Sequence, residues 1–371
     1  MNIELPISKS IANRLLILQA IHGDELMPVS DSMPDDVRMM SEAIRLLGER
    51  REARIDLGNC GTAMRFLTAY CAQLEGQTTI LDGVERMHHR PIGQLVEALR
   101  EIGADIEYLD EVGYPPLRIK GCILNKHRIV TINNPPSTQF VSALLLIGAN
   151  VQSNSTSPYI TLTREMIEQY SLASSPYRLS PIALERDWSS AAFWYEYVAL
   201  HGGEVTLPGL SRDSLQGDKV VADIFAHLGV HTTYTAEGIT ITKNNDEEFL
   251  IQQPKQLYPT TLRGNQHPAA PREKANNILF YDFSACPDLY PAVALTCEQL
   301  GVELHATGVE SLPLKESDRL YAVREHRTDH DHRMAMALLV AGYEVDDTTC
   351  ISKSYPQFLD HFRRISTLKL Q

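Results

Sequence analysis

Residues 92–108 read IGQLVEALREIGADIEY: apolar side chains recur at three- and four-residue spacing through Leu99, a glycine follows at 103, and alternation takes over in ADIEY. This is an amphipathic helix, a left-handed stop and a short strand in direct succession. The same order recurs at residues 217–234 (GDKVVADIFAHLGVHTTY), with the same helix face and GxxxxY ending, and at 36–48 (DVRMMSEAIRLLG). Gly103 and Gly229 fit the position after a helix where φ turns positive. A fourth copy opens at 318–325 (DRLYAVRE) but runs into HRTDHDHR before any glycine or strand, so that unit is shortened. Repeated units of this kind predict an α/β architecture with helices packed on sheets.

A length of 371 residues allows two domains or one large repeat-built body. The stretch 243–277 has neither period and reads as a long surface excursion. With 34 Lys+Arg against 47 Asp+Glu the net charge is −13, which excludes a general nucleic-acid or anionic-membrane binder. Any anionic ligand must then be held by a local cluster of cations. No apolar run approaches the ~20 residues of a membrane span, and Lys9 and Arg14 interrupt the place of a signal peptide, so the cytoplasm is the expected location. Six cysteines without CxxC spacing read as reduced, mostly buried thiols.

Three segments place polar or basic residues where a helix begins. In LPISKSIANR, Ser8, Lys9 and Ser10 precede an apolar run; in IDLGNCGTAMRFL, Gly58 and Gly61 flank Asn59 and Cys60, with Arg65 inside the helix; in NNPPSTQFVSALLL, Ser137, Thr138 and Gln139 stand at the start. Free N–H groups and the helix dipole favour anions there. Each alone reads most simply as an N-cap; three together with nearby Lys and Arg point to a polyanionic, hydroxylated ligand. Lys315 and Arg319 lie at i,i+4, which predicts one helix face, with Glu316 beside them. The run HRTDHDHR lacks the ligand spacing of a metal motif, and His332–Arg333 is expected to open the apolar helix MAMALLVAG.

In order along the chain stand PISKSIANR (6–14), LGNCGTAMRFL (57–67), RMHHRPIGQLVEAL (86–99), YPPLRIKG (114–121), STQFVSALL (137–145), ERDWSSA (185–191), SLQGD (214–218), CPD (286–288), LKESDR (314–319), HDHRMAM (330–336) and ISKSYPQF (351–358). This ordered set resembles the 5-enolpyruvylshikimate-3-phosphate synthase family, whose members transfer the enolpyruvyl group of phosphoenolpyruvate to the 5-hydroxyl of shikimate 3-phosphate without metal or organic cofactor. The resemblance implies an α/β enolpyruvate transferase-like fold of two domains built from βαβαββ units. The first would span 7–184; the second would join 1–6 to 185–371. It further implies Asp288, Glu316 and Lys9 as catalytic, and Lys9, Asn59, Gly61, Arg90, Arg319, Arg333 and Lys353 around phosphoenolpyruvate. Ser10, Arg14, Ser137, Thr138, Gln139, Thr156, Tyr159, Asp288, Ser311 and Lys315 would hold shikimate 3-phosphate. A monomer is implied, and Gly61 would leave room for glyphosate.

Against the family pattern, Ile7 stands for Gly, Phe66 for Pro, Thr138 for Ser and Ser311 for the usual Asn. Ile7 conflicts with any need for positive φ. Cys60 stands for Ala, which predicts packing but leaves a route for thiol reagents. Only twelve residues separate Arg319 from His332, where relatives carry a markedly longer segment with a strand pair, and the strand before PISKS is absent. Exposed strand edges or a compensating rearrangement would follow. Two other readings remain: a truncated, non-catalytic paralogue that binds shikimate 3-phosphate or a partner enzyme, and the related transferase acting on UDP-N-acetylglucosamine, against which RMHHRPIG stands in place of the cysteine loop.

Overall fold

The computed structural model describes residues 1–172, 184–243 and 277–368; the stretch read as a surface excursion lies, apart from its end residues 243 and 277, outside the described residues. The first half runs α1 (Lys9–His22), α2 (Asp35–Glu49), β1 (Glu52–Asp56), α3 (Gly61–Ala72), β2 (Thr78–Asp82), α4 (Glu85–His88), α5 (Gly93–Glu101), β3 (Asp105–Tyr108), β4 (Leu117–Lys120), β5 (Ile129–Ile132), α6 (Gln139–Leu146), β6 (Asn150–Ser153) and α7 (Pro158–Leu172). Residues 92–108 thus form α5 and β3, with Gly103 at φ 105° between them. Strands β1 and β2 are parallel, β4 lies antiparallel on β2, and β3 antiparallel on β4, giving the order β1-β2-β4-β3 of a complete βαβαββ unit. Alternation sends Leu81, Leu117 and Ile119 inward, where α3 packs on β2 and β4.

The second half runs α8 (Trp188–His201), β7 (Gly203–Pro208), a 3-10 turn Gly217–Val220, α9 (Val221–Ala226), β8 (His231–Tyr234), β9 (Gly238–Lys243), β10 (Ile278–Asp282), α10 (Tyr290–Leu300), β11 (Glu303–Thr307), α11 (Arg319–Arg324), α12 (His332–Val340) and α13 (Phe358–Leu368). Its sheets are β7-β9-β8, antiparallel, and the parallel pair β10-β11. The α/β class expected from the repeats holds.

Two hydrophobic cores organise these elements, one drawing on residues between Ile11 and Tyr170, the other on Ile3, Leu5 and residues from Trp188 to Ile365. The first residues reach the second core because Ile3 N–H donates to Thr206 O, and Thr206 N–H to Met1 O, beside β7. The chain then crosses between the cores twice, side by side: Ser8 N–H donates to Glu185 O, Asp187 N–H to Pro6 O, and Ile7 bridges Arg186 antiparallel. Ile7 is extended in that bridge and has no positive φ, which removes the conflict expected from its β-branched side chain.

The shortened unit follows β10–α10–β11. A 3-10 turn, Leu312–Leu314, leads to the six-residue α11, and a turn then delivers the chain to α12. His326, Asp329 and His330 all have positive φ (52°, 45° and 58°), so a tight left-handed path replaces a strand pair. Among the described residues β11 pairs with β10 alone, the open edge that the missing residues imply.

Candidate functional site

Four helix N-termini meet between the cores; Ser8, Cys60 and Thr138 make no side-chain capping bond, so of these four the N-cap reading holds at Asp331 alone. α1 starts after Ser8 and carries Lys9 and Ser10; α3 starts after Cys60 at Gly61; α6 starts after Thr138; α12 starts after Asp331, whose carboxylate accepts from Arg333 N–H. The starts of α1, α3 and α6 border a cleft of about 170 Å³. Ser10, Arg14, Arg90, Ser137, Thr138, Gln139, Tyr159, Asp288, Ser311 and Lys315, all singled out in the sequence, line it, as do Thr62, Arg65, Ser157 and Asp218. Thr156 is exposed and lies outside this lining; its neighbour Ser157 is buried and within it.

Lys9, Asn59, Gly61, Glu316, Arg319, Arg333 and Lys353 join through contacts at the floor. Asp288 Oδ1 lies 2.7 Å from Arg319 Nη1 and 3.4 Å from Lys315 Nζ, and its Oδ2 lies 2.9 Å from Arg333 Nη2. Glu316 Oε2 meets Arg319 Nη2 at 3.0 Å, while its Oε1 faces Lys353 Nζ at 3.4 Å and Arg90 Nη1 at 3.9 Å. Lys9 Nζ pairs with Asp36 at 2.8 Å, and Lys353 Nζ donates to Asn59 O at 2.6 Å. Arg90 and Asn59 belong to the first half, Glu316 and Lys353 to the second, so the two halves interlock through charge.

Burial favours the neutral acids, but surrounding cations outweigh it. Arg333, Lys315 and Arg319 hold the Asp288 carboxyl well below its usual range, and Lys353, Arg90 and Arg319 do the same to Glu316. Desolvation lowers Lys315, while Asp36 offsets the desolvation of Lys9 and raises it. Burial also lifts Asp218 to about 6; its Oδ2 accepts from Ser189 Oγ and its Oδ1 has no hydrogen-bond partner.

The structure corrects the helix-face expectation for Lys315 and Arg319. Lys315 ends the 3-10 turn, Asp318 caps α11, and α11 begins only at Arg319. The two cations still meet, on Asp288, through a bend rather than a shared face. Gly61 also has a more local role than expected: a Cβ there would collide with Arg65 Nη1 and stand 2.5 Å from Arg90 Nη2, so the missing side chain makes room for two guanidiniums. Arg65 is buried with Nε and Nη1 unpartnered, and desolvation with repulsion from Arg90 brings it down to about 9. Cys60 is buried, and burial lifts its thiol to about 12, which closes the thiol-reagent route.

Three residues that sequence reasoning passed over hold this arrangement. Asp36 takes Lys9; Asp331 takes Arg319 Nε at 2.7 Å and Ser317 Oγ at 3.2 Å; Asp218 stands across from Asp288. Asp331 carried a legible signal, an acid one residue before an apolar helix. From the HRTDHDHR run, His332 is buried as the first residue of α12, whereas His326 pairs with Glu298 and His330 with Asp347 on the surface.

The family model described as EPSP synthase (3-phosphoshikimate 1-carboxyvinyltransferase) matches residues 1–327 and 323–362, most of the chain. The chain belongs to the EPSP synthase family. The two matched segments meet within the shortened turn. A 3-phosphoshikimate 1-carboxyvinyltransferase of Bacteroides fragilis is 35% identical, with 98% of this chain and 94% of that protein covered. One of Colwellia psychrerythraea is 30% identical, with 98% and 96% covered. The alignment to the first spans 420 positions against 371 residues here, so that relative carries segments this chain lacks. The EPSP synthase structure from Acinetobacter baumannii superposes with a TM-score of 0.62 at 19% identity, covering 98% of this chain and 95% of its own, which establishes the shared fold. Among the described residues no helix is long and apolar enough to cross a membrane.

Proposed function

We propose that this chain transfers the enolpyruvyl group of phosphoenolpyruvate to the 5-hydroxyl of shikimate 3-phosphate and releases phosphate, as a monomer in the cytoplasm. The observation that carries this reading is the convergence of Arg90, Lys315, Arg319, Arg333 and Lys353 on two carboxylates, Asp288 and Glu316, with Lys9 held nearby on Asp36 and Arg14 in the cleft lining, in a protein of net charge −13. Shikimate 3-phosphate lies against Ser10, Arg14, Ser137, Thr138, Gln139, Tyr159, Ser311 and Lys315. Phosphoenolpyruvate takes Lys9, Arg90, Arg319, Arg333 and Lys353, with Asn59 and Gly61 at its edge. Two separate hydrophobic cores support a division into 7–184 and 1–6 with 185–371, and the halves close around both substrates.

In the structure these cations, Arg14 apart, are paired with the site's own acids. Anionic substrates compete for the same guanidinium and ammonium groups, and each cation drawn onto a phosphate or carboxylate stops depressing its former partner. Substrate binding therefore raises Asp288 and Glu316 toward the range where a carboxyl group exchanges protons near neutrality. In the addition, Asp288 takes the 5-hydroxyl proton, the oxygen bonds to C2 of phosphoenolpyruvate, and Glu316 delivers a proton to the methylene carbon. In the elimination, Glu316 recovers a proton from the new methyl group, the C2–O bond to phosphate breaks, and Asp288 returns its proton to the leaving phosphate. Lys9 offsets charge on the bridging oxygen. Closure of the halves keeps water from the tetrahedral intermediate.

The test is phosphate release from phosphoenolpyruvate by the purified chain. Release should depend strictly on shikimate 3-phosphate, and Glu316→Gln and Asp288→Asn should each cut kcat by about 10²–10³, while calorimetry still registers shikimate 3-phosphate. A folded chain without turnover would overturn the reading.

A further inference from the structure

Arg86 lies on α4, four residues before Arg90, and reaches from the first half into the second. Its Nη2 donates to Pro313 O at 2.8 Å and to Lys315 O at 2.9 Å, and its Nε donates to Lys315 O at 3.2 Å. All three hydrogen bonds go to main-chain carbonyls at the end of the Leu312–Leu314 turn, where a helical turn leaves acceptors unfilled. That turn joins Ser311 to Lys315 and Glu316, so the guanidinium grips the backbone on which a catalytic acid and a substrate-facing lysine are mounted.

We infer that Arg86 is the positioning latch of closure: it fixes the 313–315 turn against the first half and so sets Lys315 and Glu316 in register with Arg90 and Lys9. The inference rests on the closing halves of the proposed function. A planar fork suits two adjacent carbonyls in a way that a single ammonium cannot, and charge-assisted bonds of this kind are the stronger class. Their acceptors are main-chain atoms, so they report the path of the turn and not the residue that occupies it. Arg86 contributes no contact to the cleft lining, which separates its role from that of Arg90, just past the end of the same short helix.

The experiment compares wild type, Arg86→Met and Arg86→Lys as full chains. Small-angle scattering follows compaction on adding shikimate 3-phosphate, calorimetry gives its Kd, and turnover gives kcat/KM for phosphoenolpyruvate. Arg86→Met should lose the compaction and roughly 10–100-fold in kcat/KM, the scale of hydrogen bonds to a charged group. Its Kd for shikimate 3-phosphate should stay within about threefold, since that ligand rests largely on the first half. Arg86→Lys, able to reach one carbonyl at a time, should fall between, and it carries the test should the Met variant not fold. Wild-type compaction and kcat/KM in either variant overturn the latch alone. A wild type that never compacts overturns the latch and the closing halves together, whereas compaction without turnover overturns the proposed reaction and leaves the latch standing.

Discussion

In the first half, β1–α3–β2 continues through α5 into the β3–β4 hairpin, and β4 returns to lie on β2; in the second, β10–α10–β11 continues through the six-residue α11 into a left-handed turn, and nothing returns to β11 among the described residues. The hairpin's effect on the sheet is plain. Leu81 on β2 is fully buried beside Leu117 and Ile119, whereas Leu304 and Ala306 on β11 are half-buried and Phe280 on β10 is 51% exposed, stacked on His305. The charged residues at the two ends of the shortening show no such loss: Arg319, Asp331 and Arg333 are 1%, 0% and 3% exposed. The sheet and the site are therefore held by separate means. Hydrophobic cover from the hairpin secures the first, and a buried ion-pair network anchored on Asp331 secures the second.

Breaking that network gives the largest expected effect. Asp331 spans the shortening: it accepts from Ser317 Oγ and Arg319 Nε on one side and from Arg333 N–H on the other. Asp331→Ala leaves the Arg319 guanidinium buried with a lost partner, a change that typically costs about 3–5 kcal/mol. Urea unfolding should show that loss, with turnover abolished because Arg319 and Arg333 lose their anchor. A loss below about 1 kcal/mol would mean that the turn is held by something other than Asp331.

The sheet side of the comparison is sharpened by a matched pair of truncations. Leu81→Ala removes a side chain packed beneath a complete unit and should cost about 2–5 kcal/mol. Leu304→Ala, on a strand whose outer edge has no pairing partner among the described residues, should cost under about 1.5 kcal/mol, because little transfer energy and no closed cavity are involved. Equal costs by urea denaturation would show that β11 is covered in solution.

This contrast also marks what could be read from the chain alone. The helix starts at Lys9, Gly61 and Gln139 were legible because polar or glycine-bearing residues give way to an apolar run, although Ser8, Cys60 and Thr138 make no capping bond, and the helix–glycine–strand units were legible because both periods are local. Even the shortening was visible, as a unit that meets HRTDHDHR before any glycine. What failed was the step from charge spacing to geometry: Lys315 and Arg319 fit one helix face at i,i+4, but the Asp318 cap starts α11 at Arg319, four residues too late for Lys315 to join it. Asp36 looked like an ordinary first-turn acid of α2, since its partner Lys9 sits on another helix. Arg86 gave no sign of its role, because main-chain carbonyls leave no trace in a sequence.

The halves differ again in what each buries without a partner, and here the expected effect is a gain in stability rather than a loss. In the first, Arg65 has unpartnered nitrogens but lines the cleft; in the second, Glu196 in the middle of α8 is fully buried, both carboxylate oxygens lack hydrogen bonds, and it lines no part of that cleft. Burial pushes its carboxyl well above the usual range. The folded state therefore keeps a proton that the unfolded chain gives up. Stability is highest below the ordinary glutamate pKa and declines as pH rises from there toward the folded-state value. Glu196→Leu removes that decline, so it should stabilise the protein by about 1–3 kcal/mol at pH 7 and by visibly less at pH 4, with Glu196→Gln showing the same flattening at a smaller gain. Unfolding midpoints at the two pH values decide it: a gain that grows toward acid would mean that Glu196 is ionised in the folded core and paired there.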